Sequence, residues 1–232
     1  MNKTLAILTP TYNRAHTLPA LYESLFNQTN YDFVWYIIDD GSTDNTEQVS
    51  KAFVNDRFDV KYLKKDNGGK HTALNTGVKI ISEELTFVVD SDDMLTNDAV
   101  AIIVNDWMRL KEMDRIVGLS YYRLDNLGKV IGMEYPKDNT LDTYANMRVN
   151  KAVTGDKAEV YLTKILREYP FPVFEGERFL SEAIVWNRIS KDNWKLMFIG
   201  KGIYVCDYLE GGLTKLGRKY RLQNPLGTME HA

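Results

Sequence analysis

Three carboxylates stand together at Asp90-Ser91-Asp92-Asp93, directly behind the apolar run at 85–89. Carboxylates this close repel one another unless a cation lies between them or a helix N-terminus takes one. A hard divalent ion, Mg²⁺ or Mn²⁺, suits them, because such ions take oxygen ligands and share them with substrate phosphates. An EF-hand does not fit: counted from Asp90, that loop needs oxygen ligands at 94 and 96 and glycine at 95, and the chain has Met94 and Leu95. Alone, the cluster has a second reading, a carboxylate capping the next helix.

Three further polar clusters follow apolar runs. Thr9, Pro10, Thr11, Tyr12, Asn13 and Arg14 follow "LAIL"; Asp39, Asp40, Gly41 and Ser42 follow "FVWYII"; Asp66, Asn67, Gly68, Gly69 and Lys70 follow "VKYLKK". Bulky Pro10 and Tyr12 exclude a glycine-rich phosphate loop after the first run. That segment suits a flat ring instead, with Tyr12 for stacking and Thr11 and Asp39 for edge hydrogen bonds. Lys70 and Arg14 are the cations available to a diphosphate.

The elements that must position these clusters alternate. Strands are expected at 5–9, 33–40, 60–65 and 85–90, and helices at 16–28, 44–53, 71–81 and 97–113. Thr17 is expected as an N-cap with Pro19 in the first turn, and Asp44 with Glu47 as a capping box. Near-continuous apolar strands between helices imply a Rossmann-like α/β fold, a mostly parallel central sheet with helices on both faces. In such sheets ligands bind beyond the carboxyl ends of the strands, so all four clusters are expected at one edge. The second half is less regular: a hairpin around "DNLGK", a helix at 179–190, and two strands in "KLMFIG" and "IYVCDYL". One domain is expected over 1–232: a nucleotide-sugar-binding half (1–115), an acceptor-side half (116–212) and a basic C-terminal tail (213–232).

Bulk properties narrow the classes. At 232 residues, with 44% hydrophobic and 26% charged residues, the chain has an ordinary globular composition. A net charge of −3 gives no drive toward nucleic acid. The one cysteine, Cys206, excludes an internal disulfide and is expected in the core. No run of 18 apolar residues spans a membrane, and a cytoplasmic location is expected.

"ILTPTYNRAHTLPALYESLFNQT", "YIIDDGSTDNT", "DNGGKHTALNTGV" and "FVVDSDDML" resemble, in order and spacing, the nucleotide-binding half of family 2 glycosyltransferases with the GT-A fold, of the bacterial cell-surface polysaccharide type. The resemblance is close over about residues 3–110 and looser through "EGERFLSEAIVWNRI". It implies inverting transfer from a nucleotide-diphosphate sugar, commonly a UDP-sugar, to a saccharide or lipid-linked acceptor, with a divalent metal. Thr9, Pro10, Thr11, Tyr12, Arg14, Asp39, Asp40, Asn67, Gly69, Lys70, Asn75, Asp90, Ser91 and Asp92 would then bind the donor. Asp90-Ser91-Asp92 matches the family's D-x-D pattern, and either Asp92 or Asp93 would be the main metal ligand. Counting back from Trp186, Glu182 falls where the family places its general base, usually aspartate, with Glu177 and Glu175 as rivals. A nucleotidyltransferase and a non-catalytic nucleotide-sugar binder are the alternatives.

Tyr121 and Tyr122 are candidates to line the acceptor side. Trp186 and Trp194 offer either a sugar-stacking face or core packing. The stretch at 214–227, with Lys215, Arg218, Lys219 and Arg221 among apolar residues, reads either as a solvated tail or as a segment resting on anionic lipid at the inner membrane face.

Overall fold

The computed structural model describes residues 3–206 and 223–231. Its first half is a parallel four-stranded unit. Strand β1 (Leu5–Thr11) lies between β2 (Phe33–Asp39) and β4 (Leu85–Val88), and β3 (Asp59–Lys64) flanks β2. Every residue of β1, β2 and β4 is buried, which is why these strands read as unbroken apolar runs.

Helices cover both faces. Helix α1 (Leu18–Phe26) buries Leu18, Leu21 and Leu25 completely, each worth about 1.5–3 kcal/mol, and its neighbour Tyr22 stacks toward Trp35. Helix α3 (Lys70–Ile80) lies on the opposite face, that of Leu8 and Ile38. A Cβ at Gly77 would come within 2.3 Å of Leu8 Cδ1, so the missing side chain allows this approach. The two remaining helices of the first half are α2 (Thr46–Lys51) and α4 (Ala99–Leu110).

Beyond β4 the sheet becomes mixed. Its order is β3-β2-β1-β4-β8-β6-β9-β5, with β7 (Thr140–Asp142) also paired to β9. Here β5 is Met94–Leu95, β6 Ile116–Leu124, β8 Lys157–Leu162 and β9 Lys195–Val205. Strand β8 is antiparallel to both β4 and β6, while β6 and β9 run parallel. The parallel character belongs to the first half. One π-helical turn (Asn146–Asn150) precedes β8, helix α5 (Thr163–Glu168) follows it, α6 (Ala183–Lys191) leads into β9, and α7 is Pro225–His231.

Several local expectations are corrected. "KLMFIG" and the start of "IYVCDYL" form the single strand β9, whose irregular register against β6 lets it continue past Gly200–Gly202; residues 207–209 lie outside the described residues. The hairpin around "DNLGK" closes by one bridge, Leu124 to Val130, after which Gly132 (φ +73°) turns the chain away. The helix expected at 179–190 starts at Ala183, because Arg178 and Phe179 donate their N–H groups to Asn224 instead. No capping box forms at α2: Asp44 accepts from Thr46, and Glu47 turns to Lys51 and Lys64. Thr17 occupies the N-cap position of α1, but its hydroxyl donates to the Arg14 carbonyl. Strand β8 and helix α5 had no periodic signal of their own. The basic residues at 215–221 lie outside the described residues. Among the described residues no helix is long and apolar enough to cross a membrane.

Candidate active site

The carboxyl ends of β1, β2 and β4 and the loop after β3 carry the sequence-predicted residues. At the end of β2 both aspartates are buried and occupied. Asp39 accepts from the Ser42 N–H at 2.7 Å and the Tyr62 hydroxyl at 2.6 Å. Asp40 accepts from Lys65 Nζ at 2.7 Å and from the Gly68 and Gly69 N–H groups at 3.0 and 2.7 Å; Asn67 also donates to it. Asp40 therefore shapes the glycine loop, as a buried carboxylate must be paired to be tolerated. Gly69 sits at φ +94°, and a Cβ there would fall 2.3 Å from the Arg178 carbonyl oxygen. The loop after β3 is thereby pressed against the segment that precedes α6.

At the end of β1, Thr9 and Pro10 are buried, with Thr9 Oγ1 accepting from Trp35 Nε1. Thr11 Oγ1 is buried without a hydrogen-bond partner, and the next side chain, Tyr12, is exposed. An orphaned hydroxyl beside an exposed ring is what a planar ligand with polar edges would satisfy. His71 Nδ1, at the start of α3, is a second buried orphan.

The carboxylates after β4 have different partners. Asp90 binds Lys70 through one oxygen and lies 3.7 Å from Arg123 through the other. Burial opposes its ionisation, but Lys70 and Arg123 hold its carboxyl below the usual range. Asp93 is turned inward, accepting from the Tyr204 hydroxyl at 2.7 Å beside Cys206 Sγ. Burial and neighbouring Asp90 push its carboxyl up to about 7, against the pull of Tyr204 and Arg123. Burial likewise raises the Cys206 thiol to about 12. Asp92 is one-quarter exposed, with Arg14 at 3.9 Å as its nearest ionic partner. Among the described residues no three carboxylate, histidine or cysteine side chains gather as a metal group. The arrangement thus offers a divalent cation one open carboxylate, Asp92, which fits an ion whose other ligands come from phosphate and water. Asp93, pinned by Tyr204, does not offer itself.

Lys70 joins the two halves. Its ammonium binds Asp90 and also reaches Glu182 Oε1 at 2.7 Å. Burial would depress this ammonium, yet Asp90 and Glu182 raise its pKa well above the usual range. Glu182 is the N-cap residue of α6 and is about one-fifth exposed. Glu177 points elsewhere: its two oxygens accept from the Leu226 and Gly227 N–H groups at 2.7 and 2.8 Å, holding the start of α7. Glu175 is exposed. Asn75 exchanges two hydrogen bonds with the Phe171 backbone, tying α3 to the second half.

Other candidates turn out to be packing. Tyr121 is fully buried and bonded to Asp106, and Tyr122 accepts from the Tyr135 N–H. Trp186 is buried, stacked on Tyr161 at 4.3 Å. Sequence reasoning missed Arg123 and Tyr204. Arg123 lies 4.1 Å over the Tyr204 ring and 3.7 Å from both Asp90 and Asp93. Its signal was an arginine near the end of a buried apolar strand, where a charge needs a partner.

A family model described as "Glycosyl transferase family 2" matches residues 6–169. The glycosyltransferase GlyG of Streptococcus pneumoniae is 29% identical over 225 residues, which cover 93% of this chain and 74% of GlyG. Poly(ribitol-phosphate) beta-N-acetylglucosaminyltransferase TarP of Staphylococcus aureus is 35% identical over 123 residues, 50% of this chain and 36% of TarP. Among solved structures, S. aureus TarS 1-349 in complex with UDP-GlcNAc superposes with a TM-score of 0.75 at 18% identity, covering 98% of this chain and 66% of that one. The mannosyltransferase PcManGT from Pyrobaculum calidifontis, in complex with GDP-Man and Mn²⁺, gives 0.68 at 16% identity, covering 100% of this chain and 63% of that one. The chain thus spans about three quarters of GlyG but only about a third of TarP. The architecture is the GT-A fold expected from the sequence.

Proposed function

The chain belongs to glycosyl transferase family 2, and on that premise we propose that it moves a sugar, with inversion, from a UDP-sugar to a hydroxyl of a saccharide or lipid-linked acceptor in surface-polysaccharide synthesis. The observation that carries this reading is Lys70 bridging Asp90 and Glu182, because it sets a second-half carboxylate against the strand ends of the first half. The UDP-GlcNAc held by TarS and the N-acetylglucosaminyl transfer named for TarP support a UDP-N-acetylhexosamine or UDP-hexose donor.

In this reading Tyr12 stacks on the base and Thr11 Oγ1 meets its edge, while Asp39 keeps the pocket wall in place through Ser42 and Tyr62. Ser91 is buried behind Asp92. Arg14 and Lys70 face the diphosphate. Asp92 would hold a divalent ion shared with that diphosphate, and such an ion supplies Lewis-acid stabilisation of the leaving group. The acceptor hydroxyl attacks the anomeric carbon from the face opposite the leaving diphosphate, and Glu182 takes its proton. Lys70, released from Glu182 as phosphate arrives, supplies fixed positive charge near the leaving group. Asp40, Asn67, Gly69 and Asn75 serve by holding the loop and α3 in place. A location on the cytoplasmic side, where sugar nucleotides are made, belongs to the same proposal.

A thermal-shift series with UDP-, GDP- and dTDP-sugars, with and without Mn²⁺, followed by measurement of nucleotide release, tests the reading. A UDP-sugar should raise Tm most and be slowly hydrolysed to UDP. Absence of both shift and release for all three nucleotides would overturn it.

A further inference from the structure

Glu159, on β8, is a carboxylate that the reading above does not use. It pairs in register with Ser120 of β6, and its strand neighbours Ala158 and Val160 are buried on the other face. On its own face the next residue along β8 is Tyr161, stacked on Trp186, one helical turn after Glu182. Glu159 and Glu182 therefore approach the same cleft, one from the sheet and one from α6. Their charges oppose each other, and Arg123 and Arg148 lie near enough to stabilise the Glu159 carboxylate. Burial nevertheless pushes its carboxyl up to about 8. Partly buried, Glu159 makes no hydrogen bond and no ion pair among the described residues, unlike Asp39, Asp40, Asp90 and Asp93. Its carboxyl oxygens are therefore free to accept or share hydrogen bonds with a ligand.

We propose that Glu159 binds the acceptor, taking hydrogen bonds from saccharide hydroxyls adjacent to the one that Glu182 deprotonates. A carboxyl group has two oxygens, so it suits a pair of neighbouring hydroxyls whether it is ionised or neutral. Its place on a paired strand gives it a fixed direction that a loop residue would lack. Glu159 thereby sets which acceptor is used, while the donor side remains the work of the first-half strand ends. The inference rests on the glycosyltransferase reading.

The test uses the full chain, the UDP-sugar that it hydrolyses, and a panel of methyl glycosides of common hexoses and N-acetylhexosamines. The readout is the ratio of UDP release with glycoside to release without it, together with Tm at pH 9, where the Glu159 carboxyl is ionised. In the wild type at least one glycoside should raise the ratio severalfold. In Glu159→Gln that ratio should fall to near one, through a higher KM for the glycoside, and Tm should rise. UDP protection against heating reports that the variant's donor half is folded. An unchanged glycoside KM in Glu159→Gln overturns the proposal, as does a fall in Tm, which would make the residue structural. A wild type that hydrolyses donor but responds to no glycoside removes a saccharide acceptor from this site. Failure of donor hydrolysis itself would instead count against the glycosyltransferase reading.

Discussion

At the end of β2, Asp39 and Asp40 give all their oxygens to neighbours between Ser42 and Thr72. Across the cleft, Glu182 and Asp90 share Lys70, and Asp93 takes the hydroxyl of Tyr204, 111 residues along the chain. The first group is closed by local hydrogen bonds and shapes a loop. The second is assembled from distant segments by ion pairs and a tyrosine hydroxyl. Burial alone does not separate the two groups, since Asp39, Asp40 and Asp93 are all buried. What separates the two groups is how far along the chain their partners lie.

Four substitutions can break or sharpen that contrast. Glu182→Gln should have the largest effect, lowering kcat by about 10²–10⁴-fold while UDP binding, followed by thermal shift, persists. Turnover near wild type would return Glu182 to the role of a lysine partner only. Asp40→Ala should mainly unfold, losing about 3 kcal/mol or more in urea denaturation, because Lys65 and two backbone N–H groups lose their acceptor. If Asp40→Ala kept wild-type stability and lost only nucleotide binding, the division between the two groups would collapse.

Glu177→Ala should cost about 1 kcal/mol, by freeing the Leu226 and Gly227 N–H groups, and leave kcat within a few-fold of wild type. Loss of transfer there would move the base from Glu182 to Glu177. Asp92→Ala should have the smallest effect on stability, within about 0.5 kcal/mol, yet weaken UDP binding in Mn²⁺ more than in chelator. Equal UDP affinity in both variants and both buffers would remove the cation from the site.

The first-half elements were readable because each is coded locally. Unbroken apolar strands, the Leu18, Leu21 and Leu25 stripe, and polar residues at strand ends need only short-range pattern to be seen. In the second half the pattern fails for a physical reason. Strand β8, "KAEVYL", is antiparallel to both of its neighbours and carries Lys157 and Glu159 on the face it shares with Tyr161, so its apolar signal is broken. Spacing left Asp92 and Asp93 equal, and it favoured Glu182 over its rivals Glu177 and Glu175 without placing their partners. Tyr204 and Gly227, brought in from further along the chain, give Asp93 and Glu177 partners that Asp92 and Glu182 do not have.

By itself the sequence determined the α/β order of the first half, the family, and the gathering of four polar clusters at one sheet edge. These follow from residue periodicity and from the rule that parallel strands end together. The tertiary structure alone decided which carboxylates are occupied and which stay open. That depends on partners tens to more than a hundred residues apart, and one-dimensional spacing holds no information about which distant donor reaches a given oxygen.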